Sequence, residues 1–194
     1  MSEEKSILWP EDRVVPVIEK SLDLTIPFKN LEDRYYKRFY HAPEDGQHQV
    51  VLVHSNRICL VSLAASHPVI KDKKVIKNLN FQVSQNCNRL NNKVVGKGKK
   101  GGQGVDERAI LCFIECENDE KFAVRACVKG KLIGINQKIV DNPQWIVEKT
   151  PGVAHIGIVY TKIPDGINDL KARLTPEDEY LKKNCEKNGD QKDI

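Results

Sequence analysis

The stretch Lys93-Val94-Val95-Gly96-Lys97-Gly98-Lys99-Lys100-Gly101-Gly102-Gln103-Gly104 packs four lysines and five glycines into twelve residues. Gly96, Gly98 and Gly101 match the G-x-G-x-x-G spacing by which a dinucleotide site brings pyrophosphate against backbone at a helix N-terminus. That chemistry requires a strand before the glycines and a helix after them. Here Val105-Asp106-Glu107-Arg108-Ala109 and the strand-like Ile110–Cys116 follow, so a Rossmann site is not expected. No Gly-Lys-Ser/Thr closes the stretch as in a P-loop. Two readings stay open: a flexible basic surface loop that meets an acidic partner, and a solvated connection whose charges keep it off the core.

Other residue sets are weaker. Cys112 and Cys116, with Cys127, invite a metal reading. On a strand, however, positions four apart stand ~13 Å from each other at ~3.3 Å per residue, too far for one zinc ion. The histidines (His41, His48, His54, His67, His155) fall in no metalloprotease signature, and no G-x-S-x-G occurs. Tyr35, Tyr36, Phe39 and Tyr40 interleave with Arg34, Lys37 and Arg38, a mixture that can stack nucleic-acid bases. Because Leu31, Tyr35 and Phe39 recur at helical spacing, the spacing predicts instead a short helix with its aromatic face on the core. A binding protein is expected, with no catalytic residues, no cofactor and no metal.

Residues 1–32, broken by Pro10, Pro16 and Pro27, form the expected extended arm. A β domain is expected over 33–163. Strands are predicted at Gln49–His54 and Arg57–Leu63 (a hairpin), through Leu79, Phe81 and Val83, at Ile110–Cys116 and Phe122–Val128 (a second hairpin), and at Lys131–Asn136 and His155–Ile163. Pro143–Val147 is a further strand candidate. Over 164–194, Thr175-Pro176-Glu177-Asp178 has the form of a helix start, with Thr as N-cap, Pro at the first position and acids in the first turn. Many short β segments point to a sandwich or barrel.

Charge narrows the partner. The 194 residues carry a net charge of +4, yet 71–100 holds nine Lys/Arg against one Asp. Such a block suits an acidic surface, whether protein, nucleic acid or anionic lipid. No apolar run approaches a membrane span, and the acidic N-terminus lacks a signal-peptide core, so six cysteines in a chain of this length are expected as reduced thiols, mostly buried.

Asp33-Arg34-Tyr35-Tyr36, Val53-His54-Ser55-Asn56-Arg57-Ile58-Cys59, Ser66-His67-Pro68-Val69, Asn86-Cys87-Asn88-Arg89-Leu90-Asn91-Asn92-Lys93-Val94 and Cys127-Val128-Lys129-Gly130-Lys131-Leu132 occur in an order and spacing that resemble the Abitram (Simiate) family of actin-binding transcription modulators. The resemblance covers roughly 33–183. It implies a non-enzymatic protein that binds monomeric or filamentous actin and modulates its polymerisation. The nucleus, with its speckles, transcription or RNA-processing factors, and the cytoplasm, with lamellipodia and growth cones, are the implied locations. Arg89, Lys93, Lys97, Lys99 and Lys100 are the candidate partner contacts. The alternative is a nucleic-acid or transcription-complex binder using the same loop.

More weakly, the chain resembles the lipoyl/biotinyl-carrier fold and the glycine-cleavage H protein, a flattened barrel of two similar β halves. Val128–Asn136 is similar to the turn and strand after the carrier hairpin, and Val94–Gly98 is its candidate counterpart in the first half. This resemblance makes Lys121 a third-choice lipoyl or biotinyl acceptor. Against it stand Asp119-Glu120-Lys121-Phe122 in place of Asp-Lys-Ala and a single methionine, Met1.

Overall fold

The computed structural model describes residues 28–161 and 170–189, with side chains to Asn184. The predicted arm therefore lies outside the described residues up to residue 27, and Leu31 and Glu32 already belong to a helix. In chain order the elements are α1 (Leu31–Tyr35), β1 (Tyr36–His41), β2 (Gln49–His54), β3 (Ile58–Leu63), α2 (Pro68–Lys71), β4 (Ile76–Asn80), β5 (Gln82–Ser84), β6 (Cys87–Asn88) and β7 (Gly104–Val105). Then follow β8 (Ile110–Cys116), β9 (Lys121–Arg125), β10 (Gly130–Ile135), α3 (Gln137–Asp141), α4 (Trp145–Glu148), β11 (Gly157–Thr161), β12 (Thr175–Pro176) and α5 (Glu177–Gly189).

Seven strands form one sheet in the order β12-β1-β2-β3-β11-β10-β7, and β4-β8-β9 form a second. Both contribute to one apolar core. Val51, Val61, Leu63, Leu132 and Val159 from the first sheet share it with Leu111, Cys112, Ile114 and Val124 from the second. Gln49, itself buried, ties the sheets: its amide donates to the Arg125 carbonyl at 3.1 Å and accepts from the Arg125 N–H at 3.1 Å. A buried amide with both ends satisfied avoids the desolvation cost of an orphaned polar group.

The predicted hairpin 49–63 is present, with Val51 opposite Val61, because Asn56 and the left-handed Arg57 (φ 71) make its turn. The predicted strand through Leu79 and Val83 is interrupted at Phe81 and becomes β4 and β5. Two expectations fail. The helix expected from Leu31 to Phe39 stops at Tyr35. Tyr36–His41 is a strand whose Phe39 lies opposite Val51, since pairing with β2 overrides the helical spacing. Pro143–Val147 is not a strand: Trp145–Glu148 forms a single helical turn whose amides bond back to Asn142, Pro143 and Gln144.

At the C-terminal end, Thr175 and Pro176 pair with β1 before the helix begins at Glu177, one residue beyond the expected start. Helix α5 docks through Tyr180. Its ring stacks on Tyr40 at 3.9 Å, and its hydroxyl is 2.8 Å from His48 Nδ1 and bonded to the Ser66 hydroxyl. Burial and Glu177 raise the Tyr40 phenol to about 12. No described helix is long and apolar enough to cross a membrane.

Candidate partner-binding surface

The glycine-lysine stretch is a closed hairpin. Val95 and Lys100 exchange both backbone hydrogen bonds, at 2.9 and 3.0 Å, and the Lys99 amide bonds to Gly96 at 3.1 Å. Gly96 (φ 68), Lys99 (φ 52) and Gly101 (φ 79) take the left-handed turns this requires. A Cβ on Gly101 would stand 2.5 Å from the Lys93 carbonyl oxygen. The glycines thus serve the turn, and strands β7 and β8 follow where a dinucleotide site needs a helix.

Arg89 and Gln103 hold the base of the hairpin. Arg89 is 8% exposed; its Nε donates to the Ile110 carbonyl at 3.1 Å and a terminal nitrogen to Gln103 Oε1 at 2.9 Å. The Gln103 amide donates from Nε2 to the Asn88 carbonyl at 2.8 Å, and its backbone N–H donates to Asn92 Oδ1 at 2.8 Å. Asn92 in turn donates to the Leu132 carbonyl, at 2.9 Å. Among the five candidate contacts, Arg89 is therefore structural in placement, since its guanidinium is turned inward. Gln103 and Asn92, which hold the hairpin's base with it, are residues that the sequence did not reveal. Their signal, an Asn and a Gln bracketing a lysine run, is indistinguishable from ordinary surface polarity.

Lys93, Lys97 and Lys100 are exposed, and Lys99 is half-buried, with its carbonyl accepting from Lys131 Nζ at 3.2 Å. The structure therefore brings the four lysines onto one fixed element that carries no acid between residues 93 and 103. The basic block 71–100 is not one patch. Lys74 is paired with Glu120 (2.6 Å) and Asp72 (3.5 Å), and the Glu115 carboxyl, held below its ordinary range chiefly by its hydrogen bond to Lys121, also feels Lys77. Val94–Gly98, the candidate counterpart of β10, belongs to the hairpin and to no named strand.

The remaining candidates do not assemble into chemistry. Cys112 and Cys116 lie on one strand, and among the described residues no three His, Cys, Asp or Glu side chains converge to hold a metal ion. Burial raises the thiols of Cys59 and Cys127 to about 12, far from a nucleophile's range. Lys121 is the first residue of β9. Its ammonium is 3.1 Å from Glu115 and 4.7 Å over the Phe113 ring.

No protein-family model matches the chain. Protein Abitram of Homo sapiens is 40% identical over 149 residues, covering 75% of this chain and 82% of its own length. Protein Abitram of Danio rerio is 38% identical over 148 residues (75% and 84%), and that of Dictyostelium discoideum 32% over 143 (71% and 78%). Among solved structures, the chain is similar to a glycine cleavage system H protein from Mycobacterium marinum, with TM-score 0.52, 15% identity, and coverage of 76% of this chain and 96% of that one. At that identity the likeness shows the lipoyl-type fold alone.

Proposed function

Since the chain belongs to the Abitram family, we propose that it is a non-enzymatic actin-binding protein acting in the nucleus and in the cytoplasm with its actin-rich projections. The observation that carries this reading is the closed hairpin at 93–103, with four lysines, no acid and a base fixed by Arg89 and Gln103. A preformed basic finger loses little conformational freedom on docking to an acidic protein surface. Its charges act mainly on association rate and salt sensitivity.

A nucleic-acid partner would use the same lysines, but it also calls for exposed aromatic rings to stack bases. Most rings near the N-terminal helix are engaged elsewhere: Phe39 is buried, Tyr36 packs on His54 and Tyr40 lies under Tyr180, while Tyr35, beside His54, is 53% exposed. That weighs toward a protein partner.

Co-sedimentation with actin filaments and titration of monomeric actin, run beside RNA and DNA binding, test the reading. Reversing Lys97, Lys99 and Lys100 to Glu is expected to weaken actin binding at least tenfold through slower association. Absence of actin binding, or an unchanged affinity in the triple variant, sinks the reading. Loss of RNA binding in its place assigns the hairpin to nucleic acid.

A further inference from the structure

Next to the hairpin lies a cleft of about 600 Å³. Its lining runs from Gly98 at the hairpin tip along Gly104 and Val105 of β7 to Lys129, Lys131 and Tyr160. We propose that this cleft takes an extended, acidic segment of a partner protein, added along β7 as a further strand. Its acidic side chains meet Lys129 and Lys131, and its apolar ones lie on the same face against Tyr160, which stands directly opposite Lys131 in the β10–β11 pairing.

Three independent features support it. First, β7 is the last strand of the seven-stranded sheet. It pairs with β10 (Gly104 opposite Lys131, Val105 opposite Gly130), and among the described residues no strand pairs with its other side. An edge of that kind is a template for strand addition. At two residues it offers few main-chain bonds, so the cleft walls must supply the rest of the affinity.

Second, the cleft is open where a peptide backbone would lie. A Cβ built on Gly98 or Gly104 meets nothing within 4 Å.

Third, the charges are lopsided and the wall carries a ring. Lys129 is exposed, Lys131 is oriented by the Lys99 carbonyl, and the Arg57 guanidinium lies 5.1 Å over the Tyr160 ring. One carboxylate, Asp106, also lines the cleft, but it accepts from the Arg108 amide at 3.0 Å, within its own turn. Two lysines thus line the cleft beside one carboxylate, with the Arg57 guanidinium against the ring. A strand presents every second side chain to one face, so a peptide with an acidic and an aromatic residue two positions apart meets the lysines and Tyr160 together.

The proposal does not rest on actin being the partner, although it shares the hairpin with that reading. The test uses the full chain and a fluorescein-labelled peptide in which Glu and Tyr take turns at every second position with Ser between them, followed by anisotropy and amide hydrogen exchange. Binding is expected to fall at least tenfold in Gly98→Leu and Gly104→Leu. Both add a side chain to open space at an ordinary φ, so their melting temperatures should stay near wild type. Lys129→Glu with Lys131→Glu should abolish binding, and Lys182→Glu, exposed on α5 and outside the lining, should leave it unchanged. Peptide should also slow exchange at one of the Gly104 and Val105 amides. No peptide binding at millimolar concentration, equal binding by both glycine variants, unchanged exchange on β7, or equal affinity for a Gln-Tyr peptide would each overturn it. Single-stranded RNA that binds while the peptide does not would assign the cleft to nucleic acid and overturn it too. Actin co-sedimentation is scored separately: its failure alone removes the actin reading and leaves the peptide result standing.

Discussion

Arg89→Ala separates a structural arginine from a contact arginine. The wild-type guanidinium, 8% exposed, makes bonds of 3.1 Å to the Ile110 carbonyl and 2.9 Å to Gln103 Oε1. Hydrogen bonds to a charged group contribute ~1.5–3 kcal/mol each, so losing two costs about 3–5 kcal/mol once partial rehydration of the partners is allowed. That is a large share of the ~5–15 kcal/mol by which a domain is stable. For a chain of this size, ~2–4 °C per kcal/mol gives a drop in melting temperature of roughly 10 °C. Urea unfolding should show a lower midpoint with an unchanged slope, the signature of lost stability in an intact fold. Arg89→Lys keeps the charge but lacks the fork, so it should lose about half as much. Lys97→Ala, exposed and unpaired with any acid in its hairpin, should stay within about 0.5 kcal/mol of wild type. If Arg89→Ala costs less than about 1 kcal/mol yet weakens partner binding as strongly as the lysine reversals, the hairpin base is not where the structure puts it energetically, and Arg89 is a contact.

Burial, with His48 adding to it, lowers the His67 imidazole from 6.5 to about 4, and its Nδ1 accepts from the Val69 amide. The unfolded chain therefore takes up a proton that the folded chain refuses. Stability from this site is complete above about pH 6.5 and falls by about 3 kcal/mol as pH drops toward 4; His67→Asn, which keeps the capping acceptor, should flatten that part of a stability–pH curve. Gly101→Ala sets a Cβ 2.5 Å from the Lys93 carbonyl at φ 79 and should cost about 1–3 kcal/mol in thermal unfolding, whereas Gly98→Ala should be neutral or slightly stabilising. Tyr180→Phe keeps the stack on Tyr40 but removes the hydroxyl shared by His48 and Ser66. It should cost about 1–2 kcal/mol, against about 3–5 for Tyr180→Ala, read by calorimetry.

What the residues announce by themselves is local. The hairpins 49–63 and 110–125 are legible because polar turns separate apolar runs, and Cys59 and Cys112 are legible as core because they sit inside those runs. Tyr36–His41 is not legible. Aromatics at 35, 36, 39 and 40 satisfy both a period of 3.6 and a period of 2, and only the presence of β2 alongside decides between them. Trp145–Glu148 is too short for any period to register. Arg89 reads as charge because its acceptors, Gln103 and the Ile110 carbonyl, are distant in the chain. For the same reason Lys74 reads as part of a basic patch until Glu120 arrives beside it from the next hairpin. The cleft is built from Gly98, Gly104–Val105, Lys129–Lys131 and Tyr160, no segment of which signals a site alone.

The likeness to an H protein sharpens what distinguishes this chain. A swinging acyl-lysine has to project freely from a hairpin tip. Here the tip is Glu117–Glu120, with Asp119 in the left-handed turn (φ 61), and Lys121 stands one step inside the strand, opposite Glu115. Energy is not the obstacle: the Lys121–Glu115 pair is half-exposed, and such pairs contribute only ~0–1 kcal/mol. Register is the obstacle, because a strand position aims its side chain across the sheet at Glu115 and Phe113 and away from the tip. The same layered framework instead spends a buried arginine and a fully bonded glutamine on fixing a different hairpin, at 93–103. A buried polar network costs stability unless every member is satisfied, and among the described side chains no buried nitrogen or oxygen lacks a partner. Such a network holds the lysine-bearing turn at 93–103 in one shape.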